Sequence, residues 1–401
     1  MWLIPRRRAD MAPGETRRLK SACAGLRMGE PPLVAEFERR VAAFTGVPQA
    51  AAVNSGRLGM RLILEYLGVG DGAEVIIPAY TLKDLIPIVR NSGAEAVPAD
   101  IDPRTLNVTA ASVERRITAR TRAIIVLHAF GAPAPVDEIT ELADRRGIPV
   151  IEDCAHSLGA TLHGRQTGSF GYAGFFSFEP TKPVNTYGGG MVVSRDPDLV
   201  RFIRAREAEK PLDTATLLRK AAATRKERLL MSTGLALPVL MAMSSPAVAG
   251  LVGRAYRGAQ GVPSVTARYS PAQAGLGIAK LATLPERLAR RRVRARLLES
   301  LLDPRIRVQQ LIPGAEPTWY FFIVLPPRRA CEMRPRLIWR HGVDAAMESE
   351  IADECARITG HADCPNVVEA YFHALALPFF DGLTGRQARR VARAVNRTLD
   401  A

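Results

Sequence analysis

Short apolar runs recur through the first half of the chain, and most are continuously apolar rather than alternating. They occupy residues 50–53, 74–77, 94–97, 123–127, 149–152, 174–178 and 191–194. Continuous runs of this length are typical of strands buried on both faces of a parallel sheet. Helical stretches separate several of them, at residues 59–66, 82–91, 112–117 and 136–144. The alternation predicts an α/β fold with a seven-stranded, mostly parallel sheet covered by helices on both sides.

The pattern changes after about residue 268. Residues 273–302 predict a long basic helix interrupted at Pro285, residues 319–325 a strand, and residues 386–399 a closing amphipathic helix. These elements predict a smaller C-terminal α/β domain. We therefore expect three parts, namely a large domain over residues 1–224, a hydrophobic insertion over 225–262 and the small domain over 263–401.

The insertion contains an uncharged stretch at residues 229–253, with basic residues at 225, 226 and 228 before it and at 254 and 257 after it. The stretch is long enough to be considered as a membrane span. Two prolines and three glycines make it a poor straight helix. Three interpretations remain open: an element lying in a membrane interface, a buried element between two subunits, or a true span. A true span would place the two halves of one site on opposite sides of the bilayer.

The net charge of +15 over 401 residues favours anionic partners, such as a nucleotide sugar, an anionic membrane surface or nucleic acid. No zinc-finger pattern or aromatic RNA-binding motif is present, so we exclude nucleic acid. The five cysteines are scattered and never form a CxxC pair, which predicts neither a disulfide framework nor a metal site. The first residues lack the apolar core of a secretion signal, and we expect a cytoplasmic protein.

Polar residues follow four of the predicted strands, at residues 54–56, 78–81, 153–156 and 177–182. Since the carboxyl ends of parallel strands share one edge of a sheet, we expect these residues to lie together. Lys182 precedes a cluster of glycines, and Asp153 ends a strand about thirty residues earlier. A Schiff-base lysine with a preceding acid at this spacing indicates a pyridoxal 5′-phosphate (PLP) site, in which the acid keeps the pyridine nitrogen protonated.

Three further residues suit the phosphate of such a cofactor. Ser55 and Gly56 open a predicted helix, whose free N–H groups and positive dipole end attract an anion. Ser55 would equally suit a plain helix N-cap. Ser177 is a polar residue inside an apolar strand and therefore requires a hydrogen-bonding partner, which the phosphate would provide.

With these residues in place, the chain resembles the DegT/DnrJ/EryC1/StrS family of fold-type I sugar aminotransferases. The resemblance is carried by residues 36–38, 54–56, 78–81, 100–102, 128–131, 152–156, 159–160, 168–169, 176–178, 182, 268–270, 273–274 and 377–378. It implies that Lys182 is the Schiff-base lysine and that Asp153 contacts the pyridinium nitrogen. It further implies His156 near the phenolic oxygen of the cofactor, and a phosphate held by three residues, Gly56, Arg57 and Ser177.

The resemblance also implies a homodimer with shared active sites, because Thr266 matches a position where an asparagine reaches the partner's phosphate. Three positions depart from the family pattern. Arg57 stands where threonine or serine is usual, Leu82 where an aromatic ring stacks on the cofactor, and Glu348 where many members have a histidine near the sugar. Together with Tyr80, Glu348 is expected on the substrate side, and these changes leave the keto substrate open.

We therefore expect an enzyme, a PLP-dependent aminotransferase with glutamate as donor and a keto-sugar, nucleotide- or lipid-linked, as acceptor. The presence of Lys182 argues against the family's dehydratase branch, which lacks this lysine. Two alternatives remain, a PLP-dependent elimination or a membrane-associated regulatory protein that keeps PLP without turnover. The stretch at residues 229–253 and the basic charge predict a peripheral position on an anionic membrane surface, at the inner face of the membrane.

Overall fold

The computed structural model describes residues 3–25, 33–233, 238 and 266–400. Its strands are β1 (Gln49–Val53), β2 (Glu74–Pro78), β3 (Tyr80–Thr81), β4 (Glu95–Ala99), β5 (Thr121–Leu127), β6 (Val150–Asp153), β7 (Thr161–Leu162), β8 (Arg165–Gln166), β9 (Ala173–Ser177), β10 (Gly190–Ser194), β11 (Arg307–Val308), β12 (Ala315–Glu316), β13 (Phe322–Leu325), β14 (Ala346–Met347), β15 (Asp353–Glu354) and β16 (Leu375–Leu377). All seven strands predicted in the first half are confirmed.

The helices described by the structure are α1 (Glu15–Ala24), α2 (Leu33–Thr45), α3 (Gly56–Tyr66), α4 (Leu85–Arg90), α5 (Ala110–Glu114), α6 (Val136–Asp144), α7 (Pro197–Ala208), α8 (Thr214–Ser232), α9 (Pro271–Ala282), α10 (Leu284–Glu299), α11 (Ala330–His341), α12 (Cys355–Thr359), α13 (Pro365–His373) and α14 (Gly385–Leu399). Two 3-10 turns lie at Ala129–Gly131 and Glu348–Glu350.

The seven predicted strands form one sheet in the order β1-β10-β9-β6-β5-β2-β4. All of its pairings are parallel except those of β10, which runs antiparallel to both β1 and β9. Val75 and Ile77 of β2 pack in a buried cluster with α3, α4 and α7, whereas Ile76 packs on the other face with α6. The continuous apolar runs are therefore explained, as predicted, by a sheet with helices on both faces.

A second, antiparallel sheet has the order β11-β13-β16-β14 and packs against α10, α11 and α14. The predicted break in the basic helix lies at Thr283, because Pro285 is accommodated in the first turn of α10. The strand predicted from residue 319 begins only at Phe322, since Trp319 has a left-handed φ of 52°.

The three-part domain division predicted from the sequence stays a prediction. Its boundary at residue 225 falls inside α8, and Ile4 at the start of the chain forms a bridge with Val343, next to the second sheet. Only the first residues of the uncharged stretch, through 233, and Pro238 belong to the described part of the chain. Among the helices that the structure describes, none is both long and apolar enough to cross a membrane.

Candidate active site

The carboxyl ends of β1, β2, β5, β6 and β9 lie at one edge of the seven-stranded sheet, as predicted. Because β10 runs in the opposite direction, its first residue lies at the same edge. Gly190 pairs with Val53 of β1 on one side and with Ser177 of β9 on the other. The polar residues that follow these strands therefore converge where the sequence predicts a cofactor.

Lys182 belongs to the loop that joins β9 to β10. The ends of this loop are held together by Phe178, whose N–H donates to Gly189 O at 2.9 Å and whose carbonyl accepts from the N–H of Thr186 at 3.0 Å. Lys182 Nζ lies 4.3 Å from the centroid of the Tyr320 ring. At this distance the aromatic face attracts the ammonium group and holds it over the sheet edge.

Asp153, the last residue of β6, is buried with 6% exposure. Its Oδ1 accepts a hydrogen bond from the N–H of Ala155 at 3.0 Å. Burial raises the pKa of the Asp153 carboxyl to about 6, although that hydrogen bond and the nearby Lys182 and His128 act to lower it. A buried, poorly solvated carboxylate is stabilised by a cation close to it. The protonated pyridine nitrogen of the predicted cofactor would be such a cation.

His156 lies beside these two residues, and its ring stacks on the Tyr320 ring with centroids 4.2 Å apart. Thr318 Oγ1 donates to the His156 carbonyl at 2.7 Å and fixes the backbone. Burial and the charge of Lys182 hold the pKa of the imidazole well below its usual range, so the ring is neutral at pH 7. The buried Nδ1 has no hydrogen-bond partner among the described residues. An unsatisfied buried nitrogen is costly, and it indicates the position of a ligand atom.

Tyr320 is a site residue that sequence reasoning missed. Its hydroxyl and Thr181 Oγ1 are 2.9 Å apart. Burial alone would raise the pKa of the phenol, but the charges of Lys182 and Arg7 outweigh it and lower that pKa. The aromatic run at residues 319–322 was the only signal, and it predicted a strand. The left-handed backbone at Trp319 places Tyr320 before β13, next to Lys182.

Glu152 anchors the floor of the site from within the core. Its carboxylate lies 3.0 Å from His128 Nε2 and accepts the backbone N–H groups of Gly168, Phe170 and Gly171 at 2.7–2.8 Å. His128 Nδ1 in turn accepts from the N–H of Ala134 at 3.1 Å. Together with Cys154, these side chains lie close enough to surround a metal ion. Their oxygen and nitrogen atoms are already engaged in hydrogen bonds, so the cluster is better explained as a structural network.

The start of α3 has the geometry of an anion site. A Cβ on Gly56 would lie 3.1 Å from Phe176 O, and one on Gly190 would lie 2.6 Å from Gly56 N, so both glycines permit a close backbone approach. Ser55 Oγ accepts from the N–H of Leu58 at 3.2 Å and therefore caps α3. The Arg57 side chain is exposed and forms an ion pair with Asp84, which leaves its backbone N–H at the helix start.

The remaining candidate residues differ in their burial and backbone conformation. Tyr80 is fully buried in β3, and its hydroxyl has no hydrogen-bond partner among the described residues. Leu82 follows it with 44% exposure. Glu348 has a left-handed φ of 49°, and Thr266 is exposed shortly before α9. The cofactor and substrate roles of all these residues stay predictions.

Comparison with known proteins agrees with this architecture. The sequence profile of the DegT/DnrJ/EryC1/StrS aminotransferase family matches residues 13–396. GDP-perosamine synthase of Caulobacter vibrioides is 41% identical over 171 residues, which cover 43% of this chain and 46% of that protein. A UDP-N-acetyl-3-dehydro-alpha-D-glucosamine 3-aminotransferase of Acidithiobacillus ferrooxidans is 42% identical over 169 residues, 42% of this chain and 46% of that protein. The match thus spans less than half the length of these curated relatives.

Solved structures match over nearly the whole chain. The aminotransferase TlmJ from Streptoalloteichus hindustanus is 25% identical, with a TM-score of 0.78 and 99% of both chains covered. DesV from S. venezuelae is 27% identical, with a TM-score of 0.76 and coverage of 97% of this chain and 95% of that one. The α/β fold expected from the sequence is confirmed. Because the family profile covers residues 13–396, the chain belongs to the DegT/DnrJ/EryC1/StrS aminotransferase family.

Proposed function

We propose that this protein is a PLP-dependent aminotransferase that moves an amino group from an amino acid, with glutamate as the expected donor, to a keto-sugar. The observation that carries the proposal is the position of Lys182, whose Nζ lies over Tyr320 at the sheet edge where Asp153 ends β6. Membership of an aminotransferase family and the curated sugar-aminotransferase relatives support the same activity.

The residues at this edge fit PLP. When bound, the cofactor supplies an electron sink that allows the C–H bond beside an amino nitrogen to break. Lys182 would hold it covalently, and Asp153 would keep its ring nitrogen protonated. The orphaned Nδ1 of His156 suits the phenolic oxygen. The start of α3, with Gly56, and the neighbouring Ser177 offer polar groups to the phosphate.

Lys182 would also carry the proton between the donor's Cα and the site, which requires its amine to alternate between charged and neutral forms. Tyr320 orients this amine because its ring face attracts the charged form. The ring is itself held in place by the hydrogen bond between its hydroxyl and Thr181, which belongs to the same loop as Lys182. We therefore assign Tyr320 as a positioning residue for Lys182.

The reaction type is tested by adding glutamate alone to the PLP-loaded protein. We expect the visible absorbance of the lysine-bound cofactor to fall, with release of one equivalent of 2-oxoglutarate per site. An added keto-sugar should restore the absorbance. Continued release of keto product without any acceptor would indicate elimination, and no response to any amino donor would indicate a protein that keeps PLP without turnover.

We propose in addition a homodimer in which Thr266 of one subunit approaches the cofactor phosphate of the other. Its exposure, close to the start of α9, supports this position. Light scattering gives the mass, and mixing provides the sharper test. A Thr266→Trp subunit mixed with a Lys182→Ala subunit should regain activity if each site draws on both chains, because one of the two mixed sites is then intact.

The proposed location is the cytoplasm, with peripheral contact to the inner face of the membrane through residues 229–253. The five cysteines are all free thiols, which supports a reducing compartment. Leu229, at the end of α8, is 65% exposed, which supports an apolar contact beginning there. Excision of residues 234–253 should reduce flotation with anionic vesicles while leaving the dimer intact. A loss of the dimer with unchanged flotation would instead assign the stretch to the subunit interface.

A further inference from the structure

The last helix, α14, carries a stripe of arginines on its outward face. At 100° per residue, its five arginines fall within roughly 100° of arc, whereas its buried residues occupy the opposite side. The five are Arg386, Arg389, Arg390, Arg393 and Arg397, and the buried set includes Val391, Ala392 and Val395. The first and last arginines are about 17 Å apart along the helix axis. The stripe therefore runs along most of the helix, which is about 22 Å long.

The described part of the chain does not neutralise these charges by ion pairs. Arg386, Arg389, Arg393 and Arg397 are exposed and form no ion pair with any residue that the structure describes. The nearest acids at the two ends of the helix are already engaged. Asp381 binds Arg287 and Arg291, and Asp400 binds Arg305.

The neighbouring helix α11 extends the same surface. Arg390 donates to His341 O, which joins α14 to the end of α11. Arg340 is exposed there, and a buried Nη1 of Arg336, one turn earlier, has no hydrogen-bond partner among the described residues. Trp339, between them, is 55% exposed. We refer to the five arginines of α14, with Arg336, Trp339 and Arg340, as the arginine face.

The pKa of His341 reflects the positive potential of this surface. Burial, and then the charges of Arg397, Arg340 and Arg390, lower the pKa of its imidazole. Two helices thus act on one side chain with the same sign. The arginine face is a joint feature of α11 and α14 rather than a series of independent side chains.

The N-terminal segment connects the arginine face to the place where the uncharged stretch begins. Ile4 N donates to Gly342 O, next to His341. Arg228 Nη1 of α8 donates to Met11 O. Burial and, to a smaller extent, the charge of Arg228 lower the pKa of Arg8. Ile4 and Arg8 are four residues apart, which is at most about 14 Å of extended chain. The N-terminal segment therefore links the end of α11 to α8, whose last residues begin the uncharged stretch.

We propose that the arginine face binds the anionic phospholipid surface of a membrane. This rests on the proposed peripheral location but assigns the contact to folded residues outside 229–253. An exposed tryptophan beside arginines suits the interface between headgroups and acyl chains, where aromatic rings are enriched. Basic side chains near an anionic leaflet each contribute about 1 kcal/mol, which is about fivefold in affinity.

Two other partners would fit the arginine face less well. A second copy related by a two-fold axis would bring the arginine faces of both copies together, and like charges would repel. A nucleic acid would satisfy the charge, but it offers no apolar phase to the exposed Leu229 at the end of α8. Both remain measurable outcomes.

The test is flotation of the untagged, PLP-loaded, full-length protein with vesicles of phosphatidylcholine alone and with added phosphatidylglycerol, at low and high salt. The test variant combines Arg386→Gln, Arg389→Gln, Arg393→Gln and Arg397→Gln. The matched control removes four exposed arginines around the large sheet, by Arg39→Gln, Arg90→Gln, Arg115→Gln and Arg145→Gln. Amino transfer to a small soluble keto-sugar is measured in parallel.

We expect binding to anionic vesicles only, reversed by salt, and a loss of a hundredfold or more in the test variant but not in the control. Equal loss in both variants, unchanged flotation of the test variant, or no flotation of the wild type would each overturn the proposal. Tighter binding to duplex DNA than to vesicles would also overturn the proposal, because the arginine face would then be a nucleic-acid site. Transfer to the soluble acceptor should be equal in all three proteins, so failure of the proposed enzyme activity remains a separate result.

Discussion

Three basic residues of α9 and α10 differ sharply from those of α14. Lys280, Arg287 and Arg291 are buried at 6% exposure, and each has a carboxylate partner. Arg287 also donates to Pro183 O at 2.8 Å, directly after Lys182. Four arginines of α14, at residues 386, 389, 393 and 397, are exposed and have no acid partner among the residues that the structure describes. The buried cations stabilise the fold, and one of them, Arg287, holds the loop that carries the lysine. The exposed cations leave a positive potential that is available to a partner outside the chain.

The largest effect is expected at Lys182, whose loop is held by the buried Arg287. Lys182→Ala should reduce amino transfer at least a thousandfold, because both the covalent link and the proton carrier are removed. Lys20→Ala, on the exposed side of α1, is the matched control. Turnover by progress curves and folding by circular dichroism check both variants. Near-normal turnover of Lys182→Ala would refute the assignment.

The difference between buried and exposed arginines can be tested by measuring the free energy of unfolding. Arg287→Met should lower the free energy of unfolding by about 1–3 kcal/mol, since Pro183 O and Asp381 Oδ2 lose this donor while Arg291 still pairs with the other oxygen of Asp381. Arg393→Met, from the arginine face, should change it by no more than about 0.5 kcal/mol. Urea unfolding of the PLP-free proteins measures both. Similar losses for the two variants would mean that the exposed stripe is structural after all.

Asp153→Asn should raise the stability of the PLP-free protein and lower its affinity for PLP. The Asp153 pKa rises from an ordinary 3.8 to about 6 in the folded PLP-free protein, so folding takes up a proton and stability falls as pH rises from about 4 to 6. Removing the carboxylate should stabilise this form by about 3 kcal/mol at pH 8 and by little below pH 4.

In the same variant PLP affinity should fall, because an amide cannot favour a protonated ring nitrogen. Thermal unfolding with and without PLP, across pH 4–8, follows both quantities. Were the PLP-free variant less stable than the wild type at pH 8, the burial penalty assigned to Asp153 would be wrong.

The smallest effect is expected from Tyr320→Phe. The ring face over Lys182 is kept and only the hydroxyl bonded to Thr181 is lost, so PLP capture should slow by about tenfold or less, which corresponds to one lost hydrogen bond. Tyr320→Ala should slow it further and shift the pH dependence of capture. Stopped-flow absorbance of PLP binding measures both. Equal rates in the two variants would remove the ring from the role proposed for it.

Features encoded by local patterns were predictable from the sequence. The seven strands, the sheet edge that gathers Lys182 and Asp153, and the cap at Ser55 follow from periodicity and from residue types at strand ends. Tyr320 was missed because its approach to Lys182 joins residues 138 positions apart and depends on a left-handed backbone at Trp319. The bond of Arg287 to Pro183 was missed for the same reason, as it joins residues 104 positions apart.

The hydrogen bonds of Phe178 have a practical meaning for engineering. They close the lysine loop at its base, while β10 is paired along its length with β1 and β9. The strands on either side of the loop are therefore held in register by bonds that do not involve its side chains. A designer who wishes to aim the amine differently can vary residues 179–181, which are partly exposed, but must keep the buried Val184, Asn185 and Thr186.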